Sequence, residues 1–436
     1  LFCSDPELLR AAHAPHRARA LHNAMTQFGT CQAVAQAVAQ AIHSQNGPLL
    51  ASALTMDMGN TALLAQLAQM NTRSLEQLCA RGLEEPYDEM LLEHLRFLQN
   101  THAGDHQEAF ANQERACAAF QKVFDKDTSW SMPALHVLNL NLRRAAQNAD
   151  AQAKERGEKP GKLQEAARIL QKSFQIVVTD RAPLESSKKW GALHVINNLF
   201  KIYFQLNNLR LCQNLIRAVE GPGFPKALDG QTLDGQRFPV SQLVTYKFFV
   251  GRLSLLNSQF SRAETELNFS FVHAPARSFK NKRLILRYLV PVRLVLGSFP
   301  SIKLLEKYQL PYFIPICRAV HRGDLRAFEE QLTAHQQLFI RHGSYLLVER
   351  AKVIVYRNFF RRVHELHPPA TTKLDVKKFK KLLGVIGVEM EVDEIECVLA
   401  NLIYNGYIKG YISHQHGKLV VSKDKAFPLL RDIYSD

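Results

Sequence analysis

A chain of 436 residues with 46% hydrophobic and 22% charged residues sits near the average of globular proteins, which excludes wholesale disorder. Its formal net charge of +15 sets up a positive field whose natural partners are nucleic acid, acidic proteins or anionic lipid. Seven scattered cysteines without C-x-x-C spacing exclude a disulfide scaffold and read as reduced thiols, and no uncharged apolar run of about 18 residues is present to cross a membrane.

Residues 1–80 are rich in Ala, Gln and His, with His and Arg throughout the first 30 in place of an apolar signal core. The stretch 31–42 (CQAVAQAVAQAI) places small and apolar residues at helical spacing and predicts a short helix. Asn46-Gly47-Pro48 and Gly59-Asn60 predict turns. From residue 84 the pattern becomes a series of amphipathic helices joined by short polar turns. One hairpin is predicted over 188–206, with a turn at Asn207-Asn208 and a return over 209–219. Leu193, Ile196, Leu199, Phe200 and Tyr203 share one face of it. A second is predicted over 242–256 and 260–271, turning at Asn257-Ser258.

A single hairpin cannot bury its apolar stripe, so hairpins in series predict a tetratricopeptide-like solenoid. Two segments, 153–161 and 221–239, are read as exposed loops because they concentrate Gly, Pro and charge. The pattern then changes. A long helix is predicted over 346–366, followed by shorter ones over 375–386 and 392–404. Residues 406–422 alternate β-formers across a turn at 414–417. Three helices and a β-hairpin make the winged-helix plan. The expected fold is therefore mainly α, a helical-repeat solenoid capped by a C-terminal winged helix. The expected divisions are an N-terminal segment 1–83, helical repeats 84–240, a module 241–423 with its winged helix at 346–423, and a tail 424–436.

Two basic clusters stand out. No Asp or Glu lies between Leu267 and Leu305, where Lys280, Lys282, Arg283 and Arg287 accumulate, and this one-sign stretch is expected to dock an anionic partner, an acidic small subunit as readily as RNA, while the interleaved Leu284, Ile285, Leu286, Leu289 and Val290 put part of it in the core. The second cluster comprises Lys373, Lys377, Lys378, Lys380 and Lys381, joined by Lys409, Lys418, Lys423 and Lys425. Lys377, Lys380 and Lys381 fall on one helix face opposite Phe379 and Leu383, where lysine point charges suit phosphate contact without base readout. The third helix of the module opens with Glu391, Asp393, Glu394 and Glu396, so groove reading by that helix is not expected. Tyr404, Tyr407 and Tyr411 are candidates to stack on bases, with at least two of them expected to pack against strands instead.

No catalytic motif is present. His414 and His416 lack the third ligand a metal site needs and are read as a wing tip. Asp88 and Glu89 after Pro86 are read as a helix start, with acids favoured by the positive end of the helix dipole. No catalytic residue, metal or cofactor is expected.

The chain resembles the PCI subunits of the nuclear transcription-and-export complex two. The segments that carry the resemblance are 86–90 (PYDEM), 187–191 (SKKWG), 199–219 (LFKIYFQLNNLRLCQNLIRAV), 244–252 (VTYKFFVGR), 280–297 (KNKRLILRYLVPVRLVLG) and 400–423 (ANLIYNGYIKGYISHQHGKLVVSK). The resemblance implies a non-catalytic nuclear scaffold near nuclear pores, partnered by a Sac3/GANP-type helical scaffold and a small acidic Sem/DSS-type protein. It also implies RNA or single-stranded DNA binding through the winged helix, with neither a membrane nor a small-molecule substrate. Paralogues of this family in signalosome-like assemblies leave a protein-only scaffold as the alternative.

Overall fold

The computed structural model describes residues 28–233, 235–368 and 371–433, which are mainly helical with one small sheet. Two compact units divide between Tyr246 and Lys247, within a helix that spans Val240–Leu256.

In the first unit, α1 (Cys31–His43), α2 (Gly47–Ala53), α3 (Thr61–Gln69) and α4 (Thr72–Ala80) are short. Each begins at a polar cap. The side chains of Thr30, Asn46, Asn60 and Asn71 accept backbone N–H groups of the first turn, which satisfies donors that a helix start leaves unpaired. The Asn-Gly-Pro and Gly-Asn punctuation of the sequence is therefore helix-start chemistry as well as turn chemistry. Gly47 answers a demand for space, since a Cβ there would stand 1.9 Å from the Trp130 carbonyl oxygen.

The series α5 (Tyr87–Ala103), α6 (His106–Phe124), α7 (Met132–Glu155), α8 (Lys162–Val178), α9 (Ala192–Gln205) and α10 (Leu209–Glu220) packs neighbour on neighbour, as expected of stacked hairpins. Fully buried Phe97, Phe110, Phe120, Phe124 and Phe200 fill the seams. The predicted turn after α9 is present: Asn207 takes a left-handed φ of 55°, and the Asn208 N–H reaches the Tyr203 carbonyl at 2.8 Å. Asp88 and Glu89 lie in the first turn of α5, as read from the sequence.

Both predicted loops are more ordered than composition implied. Helix α7 runs on to Glu155, and Asp150 accepts the N–H groups of Gly161 (2.8 Å), Lys162 (2.7 Å) and Leu163 (3.1 Å), capping α8 and pinning the loop before it. The 221–239 segment has no helix among its described residues and is mostly exposed, as expected, yet it is anchored at a few buried points. Phe224, Ala227 and Phe238 are buried, with the Phe238 ring 4.9 Å from Trp190 and 5.8 Å from Phe224.

In the second unit, α11 (Val240–Leu256, to which Lys247 and the residues after it belong here) precedes α12 (Phe260–His273), α13 (Phe279–Val295) and α14 (Ile302–Lys307). Next come α15 (Phe313–Arg322), α16 (Leu325–Ala334), α17 (Gln336–His342), α18 (Tyr345–Arg350) and α19 (Lys352–Glu365). The single helix expected over 346–366 breaks at Ala351 into α18 and α19. Helix α19 packs on α15 and α16, whose connection passes through Gly323 at a φ of 69°.

The winged helix follows as β1 (Lys373–Asp375), α20 (Val376–Val385), α21 (Val392–Tyr404), β2 (Gly410–Ser413) and β3 (Lys418–Val421). The strands form one antiparallel sheet in the order β1-β3-β2. The hairpin was expected; β1, only three residues long, offers no alternation to read. Of the expected tail 424–436, the described residues 424–433 are anchored: Arg357 donates to the Pro428 carbonyl at 2.8 Å, and Arg431, in the short α22 (Leu430–Ile433), donates to Ser298 Oγ at 2.9 Å.

Candidate nucleic-acid interface

Helix α20 starts on Asp375, whose carboxylate accepts the Lys377 N–H at 2.8 Å. Val376, Phe379 and Leu383 are buried at i, i+3 and i+7, which turns Lys377, Lys378 and Lys381 outward. Lys380 differs from them, because its ammonium is 2.7 Å from the Glu391 carboxylate. The face therefore presents Lys378 where the sequence reading placed Lys380.

Strand pairing gathers the other lysines around the sheet. Lys418 stands opposite Asp375, and the Val376 N–H donates to the Gly417 carbonyl at 3.0 Å, so the start of β3 adjoins the start of α20 and Lys377. At the other end of β3 the Ser422 N–H reaches the Lys409 carbonyl at 2.8 Å, bringing Lys409 beside Lys423, while Val421 bonds Thr372 next to Lys373. One four-residue strand separates the two ends, a span of about 10 Å at roughly 3.3 Å per residue. All of Lys373, Lys377, Lys378, Lys381, Lys409, Lys418 and Lys423 are exposed, and none of them forms an ion pair among the described residues.

The wing tip is a short 3-10 turn, His414–His416, closed by Gly417 in the left-handed region. His414 Nδ1 lies 2.6 Å from Glu396 Oε2, so the tip is fastened to α21. The Glu396 carboxylate, with a smaller contribution from Asp393, holds the imidazole above its ordinary pKa. Three of the four acids that open α21 are occupied: Glu391 and Glu394 form a reciprocal capping box, Glu391 also binds Lys380, and Glu396 binds His414. Of the three tyrosines only Tyr407 is buried. Tyr404 is 89% and Tyr411 62% exposed, which corrects the expectation that two of them pack against strands.

A profile of the PCI domain matches residues 329–423, from α16 through the wing. The chain is 41% identical over 404 residues to PCI domain-containing protein 2 of Xenopus laevis, covering 91% of this chain and 97% of that protein. The chain belongs to the PCI domain-containing protein 2 family. The homologue of Drosophila melanogaster is 36% identical, covering 92% of this chain and 99% of that protein. A protein of Mycosarcoma maydis named as a CSN12 homolog is 32% identical over 403 residues, covering 81% of this chain and 87% of that protein.

The other basic stretch of this PCI protein is turned largely inward. Lys282 is buried, donates to the Phe271 carbonyl at 2.9 Å and sits 4.8 Å above the Phe271 ring. Burial, then the Lys307 charge, lowers its pKa. Arg287 is buried, Arg283 is half-buried, and Arg293 is committed to Glu264 at 3.1 Å. Only Lys280 of the four residues expected to dock an acidic partner is fully exposed. The one-sign stretch is mostly the interior face of α13, where a carbonyl and an aromatic ring satisfy Lys282 and a carboxylate from another helix satisfies Arg293.

Proposed function

We propose that this PCI protein is a non-catalytic scaffold subunit of a nuclear complex that couples transcription to mRNA export, and that its winged helix offers RNA or single-stranded DNA a lysine-lined track. The observation that carries the reading is the ring of unpaired lysines bracketing the three-stranded sheet. Evenly spread ammonium groups suit a phosphate backbone read without regard to sequence. Exposed Tyr404 and Tyr411 add flat faces near the same module. A Sac3/GANP-type helical scaffold and a small acidic Sem/DSS-type protein are the proposed partners, and the nuclear pore region the proposed location. Support for these comes from the family resemblance.

A protein-only scaffold is the second reading, favoured by the likeness to a protein named as a CSN12 homolog. A gel shift with single-stranded RNA at several salt concentrations separates the two. Lys377→Glu, Lys378→Glu and Lys381→Glu together should weaken binding and flatten its salt dependence, by roughly 0.7 in log–log slope per lost phosphate contact. Unchanged binding at every salt concentration would leave the protein-only scaffold as the better account.

A further inference from the structure

A groove of about 670 Å³ opens in the second unit between α16, α19, α21 and the 386–391 turn that joins α20 to α21. Its floor is apolar. Tyr356 of α19, Val388 and Met390 of the turn and Val398 of α21 are half-buried there, and the Tyr356 hydroxyl meets Met390 Sδ at 3.9 Å. Gly387 lets the turn pass close to α16, because a Cβ at its φ of 78° would stand 3.0 Å from Arg326 Nη1. The volume falls within the roughly 300–1,000 Å³ of clefts that hold ligands.

The walls are acidic, on a chain whose net charge is +15. Glu329 and Glu330 line the groove from α16, and Glu389, Asp393 and Glu394 line it from the turn and α21. Against these carboxylates stand Arg326, 2.9 Å from Glu330, and Lys352, which pairs with Glu329. Glu394 is held in the capping box of α21. That leaves Glu389 and Asp393, both exposed, with no ion pair among the described residues. The two walls converge on Tyr356: burial raises the pKa of its phenol, Lys352 opposes this, and Glu329 and Glu394 add to it. Such a surface repels phosphate, so the groove is no extension of the lysine track and calls for a partner of opposite charge.

We propose that this groove docks a short linear segment of a partner protein in which Lys or Arg flanks a bulky apolar residue. The apolar side chain lies on the floor against Tyr356, Met390 and Val398, where its removal from water drives binding. The cationic side chains meet Glu389 and Asp393 at the rim, which fixes specificity more than affinity. The groove is open to solvent, which suits a chain that enters and leaves it, whereas an enclosed cavity suits a small molecule.

The probe is a fluorescently labelled hexapeptide, Lys-Arg-Leu-Lys-Arg-Leu, titrated against the full chain by anisotropy. Cys397 supplies a second readout, because it lines the groove and alone among the described cysteines is exposed, so its alkylation can be followed by mass spectrometry. Saturable binding that slows Cys397 alkylation is expected. Replacing both leucines of the peptide by serine should weaken binding roughly tenfold or more. Glu389→Gln and Asp393→Asn together should weaken it roughly fivefold. The proposal is overturned if the peptide shows no saturable binding, or if it binds and leaves Cys397 alkylation at its original rate. Equal affinity for the serine peptide, or unchanged affinity in the Glu389/Asp393 variant, overturns it as well. Slowing of Cys397 alkylation by single-stranded RNA would assign the groove to nucleic acid and overturn it too.

Discussion

The side-chain amide of Asn358 donates to the main-chain carbonyl of Val320 across 2.8 Å, tying the helix that leads into the winged helix to the helical array before it. Three residues on from Val320, Gly323 passes so close to the same helix that a Cβ would stand 2.4 Å from the Phe359 nitrogen. Asn358→Ala leaves the Val320 carbonyl with only the Gly323 N–H at 3.3 Å and removes the Oδ1 that accepts from buried Arg357 at 2.8 Å, and should cost about 1–3 kcal/mol in urea unfolding. Gly323→Ala combines that close approach with a left-handed φ and should cost more than Asn358→Ala. A loss below about 0.5 kcal/mol for both would mean that the joint does not hold the unit together.

Phe238 anchors the 221–239 segment between Trp190 and Phe224. Phe238→Ala should cost roughly 3–5 kcal/mol, the usual range for emptying a buried aromatic site. It should also expose the segment to proteases. In the unmodified protein, limited proteolysis followed by mass spectrometry should find the first cut within 156–160, ahead of 221–239. Early cleavage in 221–239 of the unmodified chain would contradict the packing described.

The His414–Glu396 contact makes the wing sensitive to pH. The folded imidazole has a raised pKa, so its stabilising contribution is fully present below the unfolded value and is lost as pH rises through the folded one. Proton NMR titration should place the His414 midpoint above that of a free imidazole, and Glu396→Gln should bring it down. Equal midpoints in the two proteins would show that the contact does not form in solution.

Much of this was legible because periodicity reports burial. The apolar stripe from Leu193 to Tyr203 located α9, and the spacing of Phe379 and Leu383 put Lys377 and Lys381 on the outer face of α20. Charge was less legible, because a sequence shows which residues are cationic and not what compensates them. Lys282 is satisfied by the Phe271 carbonyl and ring, and Lys380 by a glutamate eleven residues away. The Gly- and Pro-rich composition of 221–239 reported the loop and not its anchor, because turn residues do not reveal that two phenylalanines meet across it.

Tyr404, at the end of α21, and Tyr411, on the edge strand β2, decide whether the lysine-lined surface also engages bases. Large aromatic side chains left this exposed forgo burial worth roughly 1.5–3 kcal/mol each, so a role in contact with a partner accounts for them better than packing does. If they stack on bases, Tyr404→Ala and Tyr411→Ala should each weaken single-stranded RNA binding by about 1–3 kcal/mol. The salt slope should not change, because stacking releases no counterions. Tyrosine-to-phenylalanine variants should bind like the unmodified protein, since the ring face is retained. Lysine variants behave oppositely, flattening the slope. Fluorescence anisotropy with oligouridylate and with an abasic oligonucleotide of equal length separates the two contributions: alanine variants should lose affinity for the first and not for the second. Equal losses on both oligonucleotides would assign the tyrosines to the shape of the wing and not to base contact.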